Sequence, residues 1–162
     1  MAQIHAWRLV SSKRRDSALS GLGSALAGGR WNPLGTKMVY SAASLALAVL
    51  EVRVHLPVAT HPPHQRFVGI ELEIAEHAIE SVPDHRLPLR WRVAPKSSTE
   101  DTAARRFGQR WVEEARSVAL RLPSAVIPTE WLYLVNPAHQ DFDQAVHRRR
   151  EVDVELDPRL WT

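Results

Sequence analysis

Glu51 is the side chain that fits its surroundings least well. It lies within SLALAVLEVRVHL (Ser44 to Leu56), where no other charged residue occurs before Arg53. A carboxylate among apolar neighbours is costly unless something pairs with it, and groups held in that condition are enriched at catalytic sites. A structural pairing with a nearby arginine meets the same demand. Arg30 follows Gly28-Gly29 and precedes Trp31-Asn32. Its guanidinium fork suits phosphates and carboxylates, and paired glycines let backbone approach a partner closely. A surface arginine beside a turn has the same local sequence. Arg8 interrupts the apolar run Ile4 to Val10, so it needs either a buried anion or the solvent side of a sheet. Tyr40 ends a short apolar run and could be core, or could stack on a flat ring. Ser124, between Pro123 and Pro128, suits a turn or a hydrogen-bond donor, and no Ser/His/Asp arrangement can be read from the spacing.

Several other chemistries are excluded. Five of the seven glycines fall between Gly21 and Gly35. Gly21-Leu22-Gly23-Ser24-Ala25-Leu26 lacks the third glycine of a dinucleotide-binding G-x-G-x-x-G. Gly35-Thr36-Lys37-Met38 scrambles the order that a P-loop needs. His55, His61, His64, His77 and His85 show no metal-ligand spacing, so no metal is expected. Cysteine is absent, which removes disulfides, thiolate nucleophiles and Cys-ligated zinc.

These side chains need a scaffold, and the hydrophobic pattern supplies one. Ile4 to Val10 reads as a strand around Trp7, and Ser11 to Ser17 as a polar, basic loop. Met38 to Tyr40 is a second short strand. Ser41 or Ser44 caps a helix carrying Leu45, Val49, Val52 and Leu56 at spacings of three and four, with Glu51 in its later turns. Pro57 to Gln65 reads as loop. From Phe67 to Ile74 the residues alternate as a half-buried strand. A second helix is predicted from about Ser98 or Thr99 to about Arg116, with a stripe of Ala104, Phe107, Gly108, Trp111 and Ala115. Val118 to Leu122 and Trp131 to Val135 are strands, Asn136-Pro137 a turn, and Val152 to Leu156 a last short strand. The fold class is α+β: one compact domain over 1–162, with short strands and two or three main helices.

Composition agrees with a globular chain. Of 162 residues, 44% are hydrophobic and 24% charged, enough apolar surface for a core. No stretch approaches the roughly 20 apolar residues of a membrane span, and the N-terminus lacks a signal-peptide core, so a cytoplasmic protein is expected. The net charge is +3, and all but Lys13, Lys37 and Lys96 of the 21 basic residues are arginines. That excess suits a dinucleotide, a nucleic acid or an acidic protein. Arg148-Arg149-Arg150 is followed by Glu151, Asp153, Glu155 and Asp157, which weakens a phosphate-backbone stripe. A non-catalytic binding protein remains an alternative. Strongly salt-dependent nucleic-acid binding without turnover would favour it.

Taken together, Trp7-Arg8-Leu9-Val10, GGRWNPLGTKMVY (Gly28 to Tyr40), SAASLALAVLEVRVHL (Ser41 to Leu56), SVALRLPSAVIPTEWLYLVNPAH (Ser117 to His139) and Asp157-Pro158-Arg159-Leu160 resemble the RES-domain family, toxins of bacterial toxin–antitoxin pairs. The family's eponymous arginine, glutamate and serine correspond to Arg30, Glu51 and Ser124. The resemblance implies a fold similar to ADP-ribosyltransferases and an enzyme that consumes NAD as substrate, by hydrolysis, phosphorolysis or transfer of ADP-ribose to a host protein. It implies Glu51, Arg30 and Tyr40 as catalytic residues, with Arg8, Arg30, Trp31, Asn32, Tyr40 and Ser124 binding the dinucleotide. Ser124 is implied as a structural or ribose-binding member, not a nucleophile. Some relatives place an aromatic after the first arginine, where this chain has Leu9, so stacking would come from Trp7, Trp31 or Tyr40. A helix-turn-helix antitoxin is the implied partner, with DNA contact left to it.

Overall fold

The computed structural model describes residues 1–56 and 65–161, so the expected loop from Pro57 falls, except for Gln65, outside the described residues. Seven strands form one sheet: β1 (Gln3–Ser11), β2 (Val39–Ala42), β3 (Phe67–Ala75), β4 (Ile79–Ser81), β5 (Ala119–Pro123), β6 (Trp131–Val135) and β7 (Val146–Val154), in the order β4-β5-β6-β2-β1-β3-β7. All neighbours are antiparallel except β4 with β5. β1 pairs with β3 residue for residue from Gln3↔Ala75 to Ser11↔Phe67. Arg8 therefore lies well inside the sheet.

Among the described residues four α-helices accompany the sheet: α1 (Leu22–Ala27), α2 (Leu45–His55), α3 (Ala103–Glu114) and α4 (Phe142–Ala145). The strand period of two divides the core between the two faces. On one face Leu9, Leu120, Leu122, Leu132 and Leu134 pack with Leu47 and Ala48 of α2 and Ala104 and Trp111 of α3. On the other, Val10, Val68, Ile70, Leu72, Tyr133 and Val135 pack with Ala145 of α4. Each large apolar side chain buried this way contributes about 1.5–3 kcal/mol.

Ser44, not Ser41, caps α2, its hydroxyl accepting from the Leu47 amide at 3.1 Å. Ser41 instead donates to the Tyr133 carbonyl within the sheet. Leu47 and Ala48 are the buried positions of α2, with Leu45, Val49 and Val52 half-buried against the same core. A helix apolar nearly all round leaves that choice to its neighbours.

The second helix is shorter than predicted. Thr102 caps it, and Ala115 ends it in the left-handed region at φ 47°. Ser97, Ser98 and Glu100 stay outside because their carbonyls accept from the Arg105 side chain.

β3 is buried on both faces from Phe67 to Leu72, where a half-buried strand was expected. Its place between β1 and β7 explains this, and so does the length of β7. That strand begins at Val146 and includes the arginine run, which lies over the carboxylates of β3. The Arg150 Nε donates to Glu71 Oε2 at 2.6 Å, His5 Nδ1 lies 3.1 Å from Glu71 Oε1, and Arg149 pairs with Glu73. Burial alone would raise the Glu71 pKa, but hydrogen bonds from Arg150 and His5 outweigh it and hold the carboxyl below its ordinary value. The strand β4 and the single turn α4 carry too few residues for a periodic signal.

Candidate active site

Between α1, α2 and the β1–β2 part of the sheet opens a cavity of about 920 Å³. Arg8, Arg30, Tyr40 and Glu51 all line it, with Lys13, Arg14 and Trp7. Residues from Arg8 to Glu51 in the sequence thus line one cavity. No other acidic residue lines it among the described residues.

Glu51 is half-buried in the later part of α2, and its partner is not an arginine. The Ser124 hydroxyl donates to Glu51 Oε1 at 2.5 Å. Ser124 itself is fully buried after β5, and its Oγ accepts from the amides of Val126 and Ile127, both at 3.0 Å. Two backbone donors fill the hydroxyl's lone pairs and direct its single proton at the carboxylate. Ser124 has no exposed surface, and its hydroxyl proton is committed to the Glu51 carboxylate.

Arg30 sits on the loop after α1 and donates from Nη1 to the Trp91 carbonyl at 2.9 Å. Burial lowers its pKa, while nearby Glu51 and Tyr40 raise it.

Among the described residues no buried anion meets Arg8, which is partly exposed to the cavity; its Nε donates to the Ala18 carbonyl at 2.6 Å and its Nη1 to the Tyr40 carbonyl at 2.8 Å. Burial, then repulsion from Arg14, lowers its pKa to about 10, against a smaller opposing effect of Tyr40. It remains charged at neutral pH.

The Tyr40 phenol is committed to the protein. It donates to Asn32 Oδ1 at 2.6 Å and accepts from the Trp31 amide at 3.0 Å. Burial raises its pKa, outweighing the Trp31 amide bond and the nearby Arg105 and Arg30. The half-buried ring is what Tyr40 offers the cavity.

Trp31 and Asn32, expected to contact a dinucleotide, have no exposed surface to offer one. The Asn32 amide donates to the carbonyls of Ser24, Pro33 and Thr36. The Trp31 ring packs on Trp91 (centroids 5.6 Å apart) and edge-on to Phe107 (5.8 Å). Both support the loop from beneath. Of the three expected stacking residues, only Trp7 and Tyr40 offer partly exposed rings, and Arg150 lies over Trp7 at 5.2 Å.

The glycines let this loop approach protein rather than ligand. A Cβ on Gly29 would stand 2.5 Å from Tyr40 Oη and 2.7 Å from Asn32 Oδ1. One on Gly108 of α3 would stand 1.8 Å from the Trp31 carbonyl oxygen, so α3 packs directly against the backbone beside Arg30.

Arg105 was not anticipated. Buried to 3% exposure, it donates from Nε to the Gly29 carbonyl at 2.8 Å and from Nη1 to Ser97, Ser98 and Glu100. Its sequence context, Ala104-Arg105-Arg106, gives no sign that one arginine faces inward. Among the described residues no three His, Cys, Asp or Glu side chains could together hold a metal ion, and no helix is long and apolar enough to cross a membrane.

Residues 5–157 match the RES domain. Over 154 residues the chain is 37% identical to a protein named Toxin Res from Photorhabdus laumondii, with 95% of each covered. Over 158 residues it is 35% identical to one named Prs ADP-ribosylating toxin from a Sphingobium species, covering 95% of this chain and 94% of that protein. A chain in the crystal structure of the M. tuberculosis MbcT–MbcA toxin–antitoxin complex superposes with a TM-score of 0.68, over 99% of this chain and 87% of that one. At 18% identity that is a likeness of fold.

Proposed function

The chain belongs to the RES domain family, and from that premise we propose that it is a toxin that cleaves the nicotinamide–ribose bond of NAD. The observation that carries this reading is the Glu51 carboxylate, held by Ser124 in a cavity whose lining also includes Arg8, Lys13, Arg14 and Arg30.

As the C1′–N bond breaks, its electron pair leaves with the nicotinamide nitrogen and positive charge develops on the ribose. A fixed carboxylate beside that charge lowers the barrier, because it needs no reorganisation during the reaction. Arg30 and Arg8 keep N–H groups free of the carbonyls that hold them and bind the pyrophosphate, so the dinucleotide stays in place while nicotinamide departs. Tyr40 contributes its ring face to nicotinamide, since its hydroxyl is occupied. Trp31, Asn32 and Ser124 act through the residues they hold.

The acceptor for ADP-ribose is water, phosphate or a host protein. The Sphingobium relative is named an ADP-ribosylating toxin, which favours a protein. A DNA-binding antitoxin that restrains the enzyme in the cytoplasm is the partner we propose, in keeping with the toxin–antitoxin complex that shares the fold.

The test is nicotinamide release by purified, antitoxin-free protein. Wild type should release it, and Glu51→Gln should lose about 100-fold or more, as loss of one transition-state electrostatic contact does elsewhere. If wild type releases none with phosphate and host lysate supplied, the reading fails.

A further inference from the structure

Among the described residues the Arg30 guanidinium makes one hydrogen bond, from Nη1 to the Trp91 carbonyl at 2.9 Å. Its aim into the cavity therefore depends on where that carbonyl stands. Trp91 belongs to no helix or strand. It closes a turn in which its amide donates to the Pro88 carbonyl at 3.2 Å. The third residue of that turn, Arg90, has φ 63°. That position favours glycine, and a strained turn keeps its shape only where its surroundings hold it.

Asp84 supplies the hold. The Val82 amide donates to the Arg121 carbonyl of β5 at 2.8 Å, which ties this stretch of chain to the sheet, and the 3-10 turn Asp84–Arg86 follows. Asp84 Oδ1 accepts from the Trp91 indole Nε1 at 2.8 Å and from Arg92 Nη2 at 2.9 Å. The Arg92 guanidinium also lies over the indole, its Cζ 4.5 Å from the ring centroid. Trp91 is buried and packs on Trp31. Packing sets the plane of a flat ring but lets it slide within that plane, and a directional bond at the ring edge removes this freedom. The ion pair with Arg92 is half-exposed on both sides and such pairs contribute little. The indole bond is the one that holds.

Asp84, Trp91 and Arg92 do not line the cavity. Their influence on a bound dinucleotide passes through Arg30 or through the Trp31 packing beneath it.

Resting on the reaction proposed above, we propose that Asp84 is a positioning residue for Arg30. It fixes the Trp91 indole and thereby the Trp91 carbonyl that orients the guanidinium toward the pyrophosphate.

The test compares Asp84→Ala, which removes the acceptor, with Asp84→Asn, which keeps a carbonyl oxygen for the indole. Asp84→Ala should lower kcat/KM for nicotinamide release about 10-fold, the upper scale of one hydrogen bond. The loss should fall mostly on KM, since Arg30 grips the pyrophosphate before and during bond cleavage. Asp84→Asn should stay within about 3-fold of wild type. On an Arg30→Ala background, assayed at high enzyme concentration, Asp84→Ala should cost less than about twofold. A full loss on that background overturns the proposal, because the effect then travels by another route. Asp84→Ala activity equal to wild type overturns it too. If Asp84→Ala fails to fold, Trp91→Phe keeps a ring and the carbonyl but lacks the indole N–H. It should show the same 10-fold loss, and wild-type activity in it overturns the proposal. A readout independent of turnover is 15N NMR of the Arg30 guanidinium, assigned by its disappearance in Arg30→Lys. Rotation about its Cζ–N bonds should be at least about 3-fold faster in Asp84→Ala and unchanged in Asp84→Asn, as expected when one restraining hydrogen bond is loosened. If wild type releases no nicotinamide but rotation responds in this way, the positioning stands and only the reaction falls. Equal rotation in all three proteins overturns the positioning.

Discussion

Replacing Ser124 with alanine removes one oxygen that makes three hydrogen bonds, and the consequences divide cleanly. The bond to Glu51 at 2.5 Å is made to a charged acceptor, a class worth about 1.5–3 kcal/mol net. If that bond holds the carboxylate where positive charge develops, its loss lowers kcat/KM by about 10- to 150-fold, at 1.36 kcal/mol per factor of ten. The amides of Val126 and Ile127 lose their acceptor as well. Both residues are half-buried, so water replaces part of the loss, and stability falls by about 2–4 kcal/mol. Urea unfolding gives the second quantity, and nicotinamide release well below the variant's melting point gives the first. The decisive comparison is a double-mutant cycle. Because Ser124 acts through Glu51, Ser124→Ala on a Glu51→Gln background should change kcat/KM by less than about twofold, since members of one catalytic unit are non-additive. Full losses that multiply would refute the positioning role, as would an active Ser124→Ala enzyme.

Other expectations follow from the loop and the sheet. Gly29→Ala drives a Cβ to 2.5 Å from Tyr40 Oη; it should lower stability by about 1–3 kcal/mol and activity with it, because Arg30 is the next residue. An unchanged urea midpoint would show that the space exists. Glu71 has a folded pKa below its ordinary 4.5, so its stabilising contribution is present above that value and lost as pH falls through the lowered one. Glu71→Gln should therefore be less stable than wild type at pH 7. The gap should close as unfolding is measured at progressively lower pH; a gap that widens would contradict the pairing with Arg150 and His5.

The segments that bear the site were legible because they are locally consistent. The run from Ile4 to Val10 is strand-like, the Ser44 cap and apolar turns make a helix, and Glu51 stands out within it as a charge without company. Partner identity was not legible. Glu51 meets a serine 73 residues away, and no local signal marks that distance. Arg8 likewise ends on carbonyls, a kind of partner that every residue offers and no composition reveals. The family resemblance implies Trp31 and Asn32 as ligand contacts, and their aromatic and amide groups would suit that role. In the fold the same properties serve packing and backbone hydrogen bonding, and Gly108 lets α3 close over them. The arginines of β7 are exposed, yet Arg149 and Arg150 also pair with carboxylates of β3, in a register that only the assembled sheet defines.

The 73-residue separation between Glu51 and Ser124 also sets a schedule. The carboxylate is synthesised long before the hydroxyl that fixes it, and at about 5–20 residues per second a nascent chain carries the one without the other for about 4–15 s. Through that interval the helix bearing Glu51 lacks the hydrogen bond that orients its carboxylate. The loop after β5 supplies it, so the carboxylate is fixed only once translation has passed Ser124.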